Sequence, residues 1–139
     1  MPGENPLPID VAVDHQQDLS FTFPIQTGLG TDTLLHFCER ETVVDAASIG
    51  CITGDDDCAM TLKYCTVNTS TGVITAVGSG TAFTDALTIT TSEAPKREVF
   101  TMITTENVIP ANSYIALDGS AGSTAVSGNV HLRIRTKRR

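Results

Sequence analysis

The feature that most constrains this sequence is a strict two-residue alternation near its C-terminus. The apolar side of this stretch is formed by Val126, Val130, Leu132 and Ile134. The polar side is formed by Asn129, His131, Arg133 and Arg135. Successive side chains of a β-strand point to opposite faces, so the pattern predicts a strand with one face in a core and the other in water.

Similar alternation recurs along most of the chain. It predicts strands over residues 19–25, 33–40, 42–52, 58–67, 73–77, 83–90, 99–105 and 113–118, separated by turns rich in Gly, Asn, Ser and Pro. Aromatic residues make up only 5% of the chain, Thr is frequent, and no stretch keeps a helical period. The sequence therefore predicts an all-β fold, namely an antiparallel, jelly-roll-like β-sandwich of eight or nine strands.

A chain of 139 residues is expected to form one domain with its own core. We divide it into an extended N-terminal arm at residues 1–18, a jelly-roll-like β-sandwich at 19–132 and a basic C-terminal tail at 133–139. The arm is rich in Pro and poor in apolar residues, so it either reaches a neighbouring subunit or is disordered.

Charge is distributed unevenly along the chain. The net charge is −7, yet five of the nine basic residues lie in the last seven positions and all 16 acidic residues precede them. This asymmetry predicts an acidic partner for the tail. It also predicts a body that repels nucleic acid and membrane surfaces.

The four cysteines are Cys38, Cys51, Cys58 and Cys65, and their spacing matches no metal-binding pair. The first residues lack the basic and apolar segments of a signal peptide. No apolar run approaches the ~18 residues of a membrane-spanning helix. We expect synthesis in the cytosol, where thiols stay reduced, and therefore favour buried free cysteines over zinc ligands or disulfides.

The sequence contains no recognisable catalytic motif. His15, His36 and His131 belong to no nucleophile signature, and His36 is expected to be a packed histidine. A pair of catalytic carboxylates, as in a glycosidase, remains an alternative among the 16 acidic residues, although a sugar-binding cleft is hard to build without Trp. The acidic run 55–57 could offer oxygen ligands to Ca²⁺, but adjacent side chains in a tight turn diverge, which favours a solvated turn. We therefore predict no catalytic residues, no cofactor, no metal and no enzyme activity.

The order of segments from Val43 to Arg135 resembles the small β-sandwich modules of tailed-bacteriophage capsid decoration (cement) proteins and head fibres. In those modules a strand leads to a short Thr-Gly turn, here residues 52–55, and a strand such as 60–64 follows. A Gly-containing hairpin, a Thr-rich strand such as 87–90 and a Pro-Ala-Asn-Ser segment at 109–117 complete the resemblance, which covers about two thirds of the chain.

The resemblance implies a virion structural protein that is synthesised in the host cytoplasm, binds the outside of an assembled phage head and stabilises it. The implied partners are the major capsid protein and further copies of the same chain, as a homotrimer. The residues expected to bind these partners are Leu34, Leu35, Phe37, Arg133, Arg135, Lys137, Arg138 and Arg139. The first three lie in a strand that is apolar on both faces, and the others form the basic terminus.

Two other classes stay open. A receptor- or carbohydrate-binding tip module of a tail or fibre protein would carry recognition on exposed loops such as 78–80 and 119–123. A DNA-associated virion protein would place the basic tail on the phosphate backbone, which the acidic body disfavours.

Overall fold

The computed structural model describes residues 14–25, 31–120 and 125–137. Within these ranges the chain forms nine β-strands and one 3-10 turn at Val77–Ser79. The strands are β1 (Asp14–Ile25), β2 (Thr31–Cys38), β3 (Thr42–Thr53), β4 (Met60–Thr66), β5 (Thr81–Ala82), β6 (Lys96–Val99), β7 (Val108–Ile109), β8 (Ser113–Gly119) and β9 (Val126–Lys137). The predicted all-β class is confirmed.

The strands form two antiparallel sheets. Sheet 1 has the order β1-β9-β3-β6, with β7 also paired to β3, and sheet 2 has the order β2-β8-β4-β5. The first and last strands are neighbours in one sheet, and the second and second-to-last strands are neighbours in the other. This order is that of a jelly roll, a sandwich built from two Greek keys.

Strand β9 lies in the interior of sheet 1, between β1 and β3. Its inward residues Val130, Leu132 and Ile134 are at most 1% exposed, which confirms the predicted alternation. At Gly128 an added Cβ would lie 1.9 Å from the carbonyl oxygen of Gly50 on β3. Only glycine permits so close an approach of the two strands.

The main core lies between the sheets. Its fully buried members include Val44, Ile49, Leu62, Phe83, Ile115 and Leu117. A second, smaller cluster of Cys65, Val77 and Ala116 lies on the outer side of sheet 2, with Ile74 packed against it. The segment between β4 and β5 therefore folds back over β4 and β8 and covers part of the outer face of sheet 2.

The predicted boundaries of the arm and the tail are wrong within the described residues. β1 begins at Asp14, so residues 14–18 are strand, and β9 continues to Lys137, so residues 133–137 are strand as well. The two segments pair with each other, with Asp14 opposite Lys137. Backbone hydrogen bonds extend this ladder, and the ion pair between Arg133 and Asp18 spans it. The rest of the predicted arm, 1–13, and residues 138 and 139 lie outside the described residues.

The middle of the chain is less regular than predicted. β5 has two residues, β6 lies N-terminal to the predicted strand 99–105, and residues 83–90 form only isolated bridges. The side chains of Phe83, Ile89 and Phe100 are nevertheless at most 3% exposed. Single backbone bonds hold these residues in place; the Phe83 amide, for example, donates to the carbonyl of Leu62 at 3.0 Å. The alternation located the buried side chains but not the extent of each ladder.

Candidate protein-interaction site

Strand β2 forms an edge of sheet 2 and pairs with β8. Its register shifts between Leu34 and His36, so that Leu34 lies opposite Ala116 and Phe37 lies opposite Tyr114. Ala116 and Tyr114 are two residues apart on β8 and share its outer face. The bulge therefore brings Leu34 and Phe37 to the same outer face of sheet 2, whereas an uninterrupted strand would place them on opposite faces.

Leu34, Phe37 and Tyr114 form an exposed apolar surface, which we call the β2 patch. Leu34 is 43% exposed and Phe37 is 36% exposed. The rings of Phe37 and Tyr114 lie 5.0 Å apart between centroids, tilted by 52°. The β4–β5 segment covers Ala116 but leaves Leu34 and Phe37 exposed, and Tyr114 is half-buried. Exposed aromatic and aliphatic groups that continue a covered apolar cluster are typical of a protein interface.

Leu35, which was also predicted to bind partners, points inward, and so does its neighbour His36. Leu35 is half-buried and packs against the main core, so it does not belong to the β2 patch. His36 is also half-buried, with its ring centroid 6.1 Å from that of Phe21. Burial lowers the pKa of His36, which favours its neutral form. The packing expected for this histidine is observed.

A cavity of about 570 Å³ adjoins the β2 patch at the C-terminal end of β2. Phe37 forms one part of its wall, and Glu39 and Arg40 lie in the turn that follows. Thr42 and Thr136 contribute from sheet 1. The patch is therefore continuous with a polar recess large enough for a side chain of a partner.

Charged residues lie at the opposite end of the same face. Lys63 Nζ lies 2.7 Å from an Asp118 carboxylate oxygen and donates to the Gly78 carbonyl at 3.1 Å. Asp32 lies directly opposite Asp118. Burial, the hydrogen bond with Asp118 and the charge of Asp118 together raise the pKa of Asp32. Like charges at directly opposed positions are destabilising, and Lys63 offsets part of the repulsion.

Two of the predicted basic residues, Arg133 and Arg135, lie on the other side of the molecule. Arg133 Nε donates to Asp18 at 3.1 Å, and Arg135 Nε donates to Asp45 at 2.8 Å, both on the outer face of sheet 1. The backbone of Lys137 pairs with β1, and Arg138 and Arg139 lie outside the described residues. Leu34 and Phe37 on one face and Arg133 and Arg135 on the other therefore do not form one site.

The structure also brings together a serine, a histidine and an aspartate that the sequence did not indicate. Ser20 Oγ lies 3.1 Å from His131 Nδ1, and His131 Nε2 lies 3.8 Å from Asp18. The second distance is too long for a hydrogen bond, and Asp18 accepts instead from Arg133. All of these side chains are solvent-accessible, so water competes for each contact. In a catalytic triad a carboxylate orients the histidine by a hydrogen bond so that it can activate the serine, and His131 has no such bond to Asp18.

The four cysteines are free and buried, as expected from the sequence. Burial raises the pKa of each thiol, to about 11 for Cys51. Such thiols stay protonated at neutral pH and act as small apolar side chains.

The acidic turn differs from the solvated turn that was predicted. Asp55 is 1% exposed and accepts a hydrogen bond from the backbone N–H of Asp57 at 2.8 Å. Asp56 accepts from the backbone N–H of Thr91 at 2.9 Å. Two of the three carboxylates therefore stabilise the chain locally. Among the described residues no group of three or more His, Cys, Asp or Glu side chains is arranged to hold a metal ion.

Comparisons with known proteins identify no family. No family model matches the chain, and no curated protein matches it. Among solved structures it is similar to a chain in the structure of the Gx strain of infectious bursal disease virus, with 14% sequence identity and a TM-score of 0.47. The match covers 91% of this chain and 31% of that chain, so this protein spans about a third of its length. A similarity at this level gives no information about function. In the described residues, no helix has the length and apolar character needed to cross a membrane.

Proposed function

We propose that this chain is a virion structural protein that attaches to the outside of an assembled phage head and stabilises it. In this proposal the chain acts as a homotrimer, binds the major capsid protein and performs no chemistry of its own. The proposal follows the resemblance to decoration proteins and places the contact with the shell at the β2 patch.

The observation that carries the proposal is the exposure of Leu34 and Phe37 on an edge strand. Leaving such side chains in water has a cost that contact with another protein removes, at about 25 cal/mol for each Å² of apolar surface buried. Aromatic anchors beside a recess are the usual energetic centre of an interface. The cavity next to Phe37 supplies that recess.

Stabilisation follows from linkage. A protein that binds the closed shell and not its free subunits shifts the assembly equilibrium toward the shell by mass action. Many copies act on one particle, so a modest contribution from each β2 patch is sufficient. Arg133 and Arg135 already pair with carboxylates on the opposite face, so the proposal does not require them at the shell.

The test uses particles of the parent virus prepared without this chain. They are incubated with the wild type, with the double variant Leu34→Ser/Phe37→Ser, or with Ile52→Ser as a control, since Ile52 is 71% exposed and lies on sheet 1. We expect the wild type and the control to bind and to raise the temperature of genome release, and the double variant to do neither. Equal occupancy by the double variant would show that the β2 patch is not the interface.

The oligomer is tested separately by sedimentation of the purified chain, where a trimer is expected. Stoichiometry on the particle distinguishes the alternative of a receptor- or carbohydrate-binding tip. A gel-band ratio that gives hundreds of copies per particle supports decoration, whereas a few to a few dozen copies supports a tail or fibre protein.

A further inference from the structure

The outer face of sheet 1 contains a groove along β3 that no part of the proposed function uses. Small side chains, Ala46 and Ser48, form its floor. His131 on β9 and Val99 on β6 lie opposite Ser48 on its two sides. The groove encloses about 270 Å³, several times the ~30 Å³ that one water molecule occupies.

Ser48 supplies a hydroxyl at the floor of the groove. The residue is only 4% exposed, and no hydrogen bond between described residues engages this hydroxyl. Its oxygen is not among the buried side-chain atoms that lack a partner, so it reaches the space of the groove. Water or a ligand in the groove can therefore bond to it.

Positive charge lies on both walls. Arg97 on β6 is opposite Gly50, and Arg133 on β9 is opposite Ala46, so the two arginines stand diagonally across Ser48. Strands β6 and β9 flank β3 and are therefore about 10 Å apart. Arg97 and Arg133 are also offset by four residues along β3, roughly 13 Å, but both side chains line the groove and can approach one ligand group from its two ends.

The arginines have donors available for a ligand. No ion pair between described residues includes Arg97. Arg133 contacts Asp18 through Nε, and a guanidinium has five N–H donors in total. No carboxylate lines the groove, although the net charge of the chain is −7.

We propose that this groove binds the oxyanion group of a small ligand, such as a carboxylate, a sulfate or a phosphate. Arg97 and Arg133 hold the charge from the two walls, and the Ser48 hydroxyl donates from the floor. Planar guanidinium groups match these oxyanions with paired hydrogen bonds. A separate, mostly apolar hollow of about 360 Å³ lies further along β3, at Gly50 and Ile52.

The test is a titration of the isotope-labelled full chain by NMR at low salt. The probes are inorganic sulfate, inorganic phosphate and glucuronate, with glucose as the uncharged control. We expect each oxyanion that binds to shift the backbone amides of residues 46–48, 97–99 and 131–133. Arg97→Gln is expected to weaken binding about fivefold, the upper end of the range for one exposed charge contact.

Matched variants make the result specific. Arg40→Gln removes the same charge from an exposed position at the end of β2 and is expected to change affinity less than about twofold, since screening limits distant charges. Ser48→Val fills the floor and is expected to abolish the shifts, with an unchanged thermal transition as the folding control. The proposal is overturned if no probe shifts these amides, if glucose binds as well as the oxyanions, or if Arg40→Gln weakens binding as much as Arg97→Gln.

Discussion

The two outer faces of the sandwich differ in what covers them and in how their charges are satisfied. On sheet 2 the β4–β5 segment covers Ala116, whereas Leu34 and Phe37 of the β2 patch stay exposed. On sheet 1 the outer face is mostly polar, although Val99 is 60% exposed, and Arg133 and Arg135 bond to carboxylates of neighbouring strands.

This difference separates two kinds of recognition. An apolar face that is only partly covered gains free energy by contact with another protein. A mostly polar face is stable in water, and the arginines beside its small-residue groove have donors left for the small charged ligand proposed above. The two proposed binding sites, the β2 patch and the groove, therefore lie on opposite sides of one core.

The largest expected effect is a loss of unfolding free energy on the inner face of β9, compared with a small loss on its outer face. Leu132→Ala, on the inner face of β9, should lower the free energy of unfolding by about 2–5 kcal/mol, because it opens a cavity in the core. The adjacent outward variant Arg133→Ala should cost less than about 1 kcal/mol. Urea unfolding of both variants measures this contrast. Similar losses would mean that the two faces of β9 are not energetically distinct.

A smaller effect concerns the β2 patch. A double-mutant cycle of Phe37→Ala and Tyr114→Ala should give a coupling free energy of about 0.5–1.5 kcal/mol, as is usual for tilted aromatic pairs. The measurement is urea unfolding of the wild type, both single variants and the double variant. A coupling near zero would indicate that the rings do not rest on each other in solution, and that the patch is less ordered than the opposite face.

The contribution of Asp32, on the outer face of sheet 2, to the stability of the fold should depend on pH. Its pKa is raised above 3.8 by burial and by Asp118, so its favourable contribution is fully present below pH 3.8 and is lost as the pH rises through its folded pKa. Asp32→Asn should therefore stabilise the protein at pH 7, by less than about 1 kcal/mol because solvent screens the pair, and have little effect at pH 3. Thermal unfolding at both pH values measures this, and a destabilised variant at pH 7 would contradict it.

The smallest effect on stability is expected at Glu93, beside the β6 edge of sheet 1. Its pH dependence is opposite to that of Asp32, because the ionised form of Glu93 stabilises the fold. Hydrogen bonds from the Thr90 backbone, Lys96 and the Thr90 hydroxyl lower the pKa of Glu93 to about 2. Its contribution is fully present above pH 4.5 and is lost as the pH falls through about 2. Glu93→Gln should lower the melting temperature slightly at pH 7 and not at pH 2. If an NMR titration gave Glu93 an ordinary glutamate pKa, the predicted contrast in pH dependence between Glu93 on sheet 1 and Asp32 on sheet 2 would be wrong.

Much of the fold was predictable because alternation is a local signal. The inward residues of β9, and buried side chains such as Phe83 and Ile89, follow from parity along a strand. The extension of the first strand through residues 14–18 and of the last strand through residues 136 and 137 was not predictable, because these segments lack apolar alternation, whereas the alternation itself reaches Arg135. Pairing between them, more than a hundred residues apart in sequence, makes them strand.

The candidate sites depended even more on tertiary structure. Leu34 and Phe37 were identified from the sequence, but the bulge that places them on one face becomes visible only in the register with β8. Arg97 and Arg133 come from distant segments, and only their common neighbour β3 brings them to one groove.

The sequence by itself determined the all-β class and the inward face of the main strands, since a period of two specifies which side of a strand avoids water. Only the tertiary structure decided which strands are neighbours and where sheet 2 is left uncovered. It also decided which charges are paired. Those properties depend on contacts between residues far apart in the chain, and no local pattern encodes them.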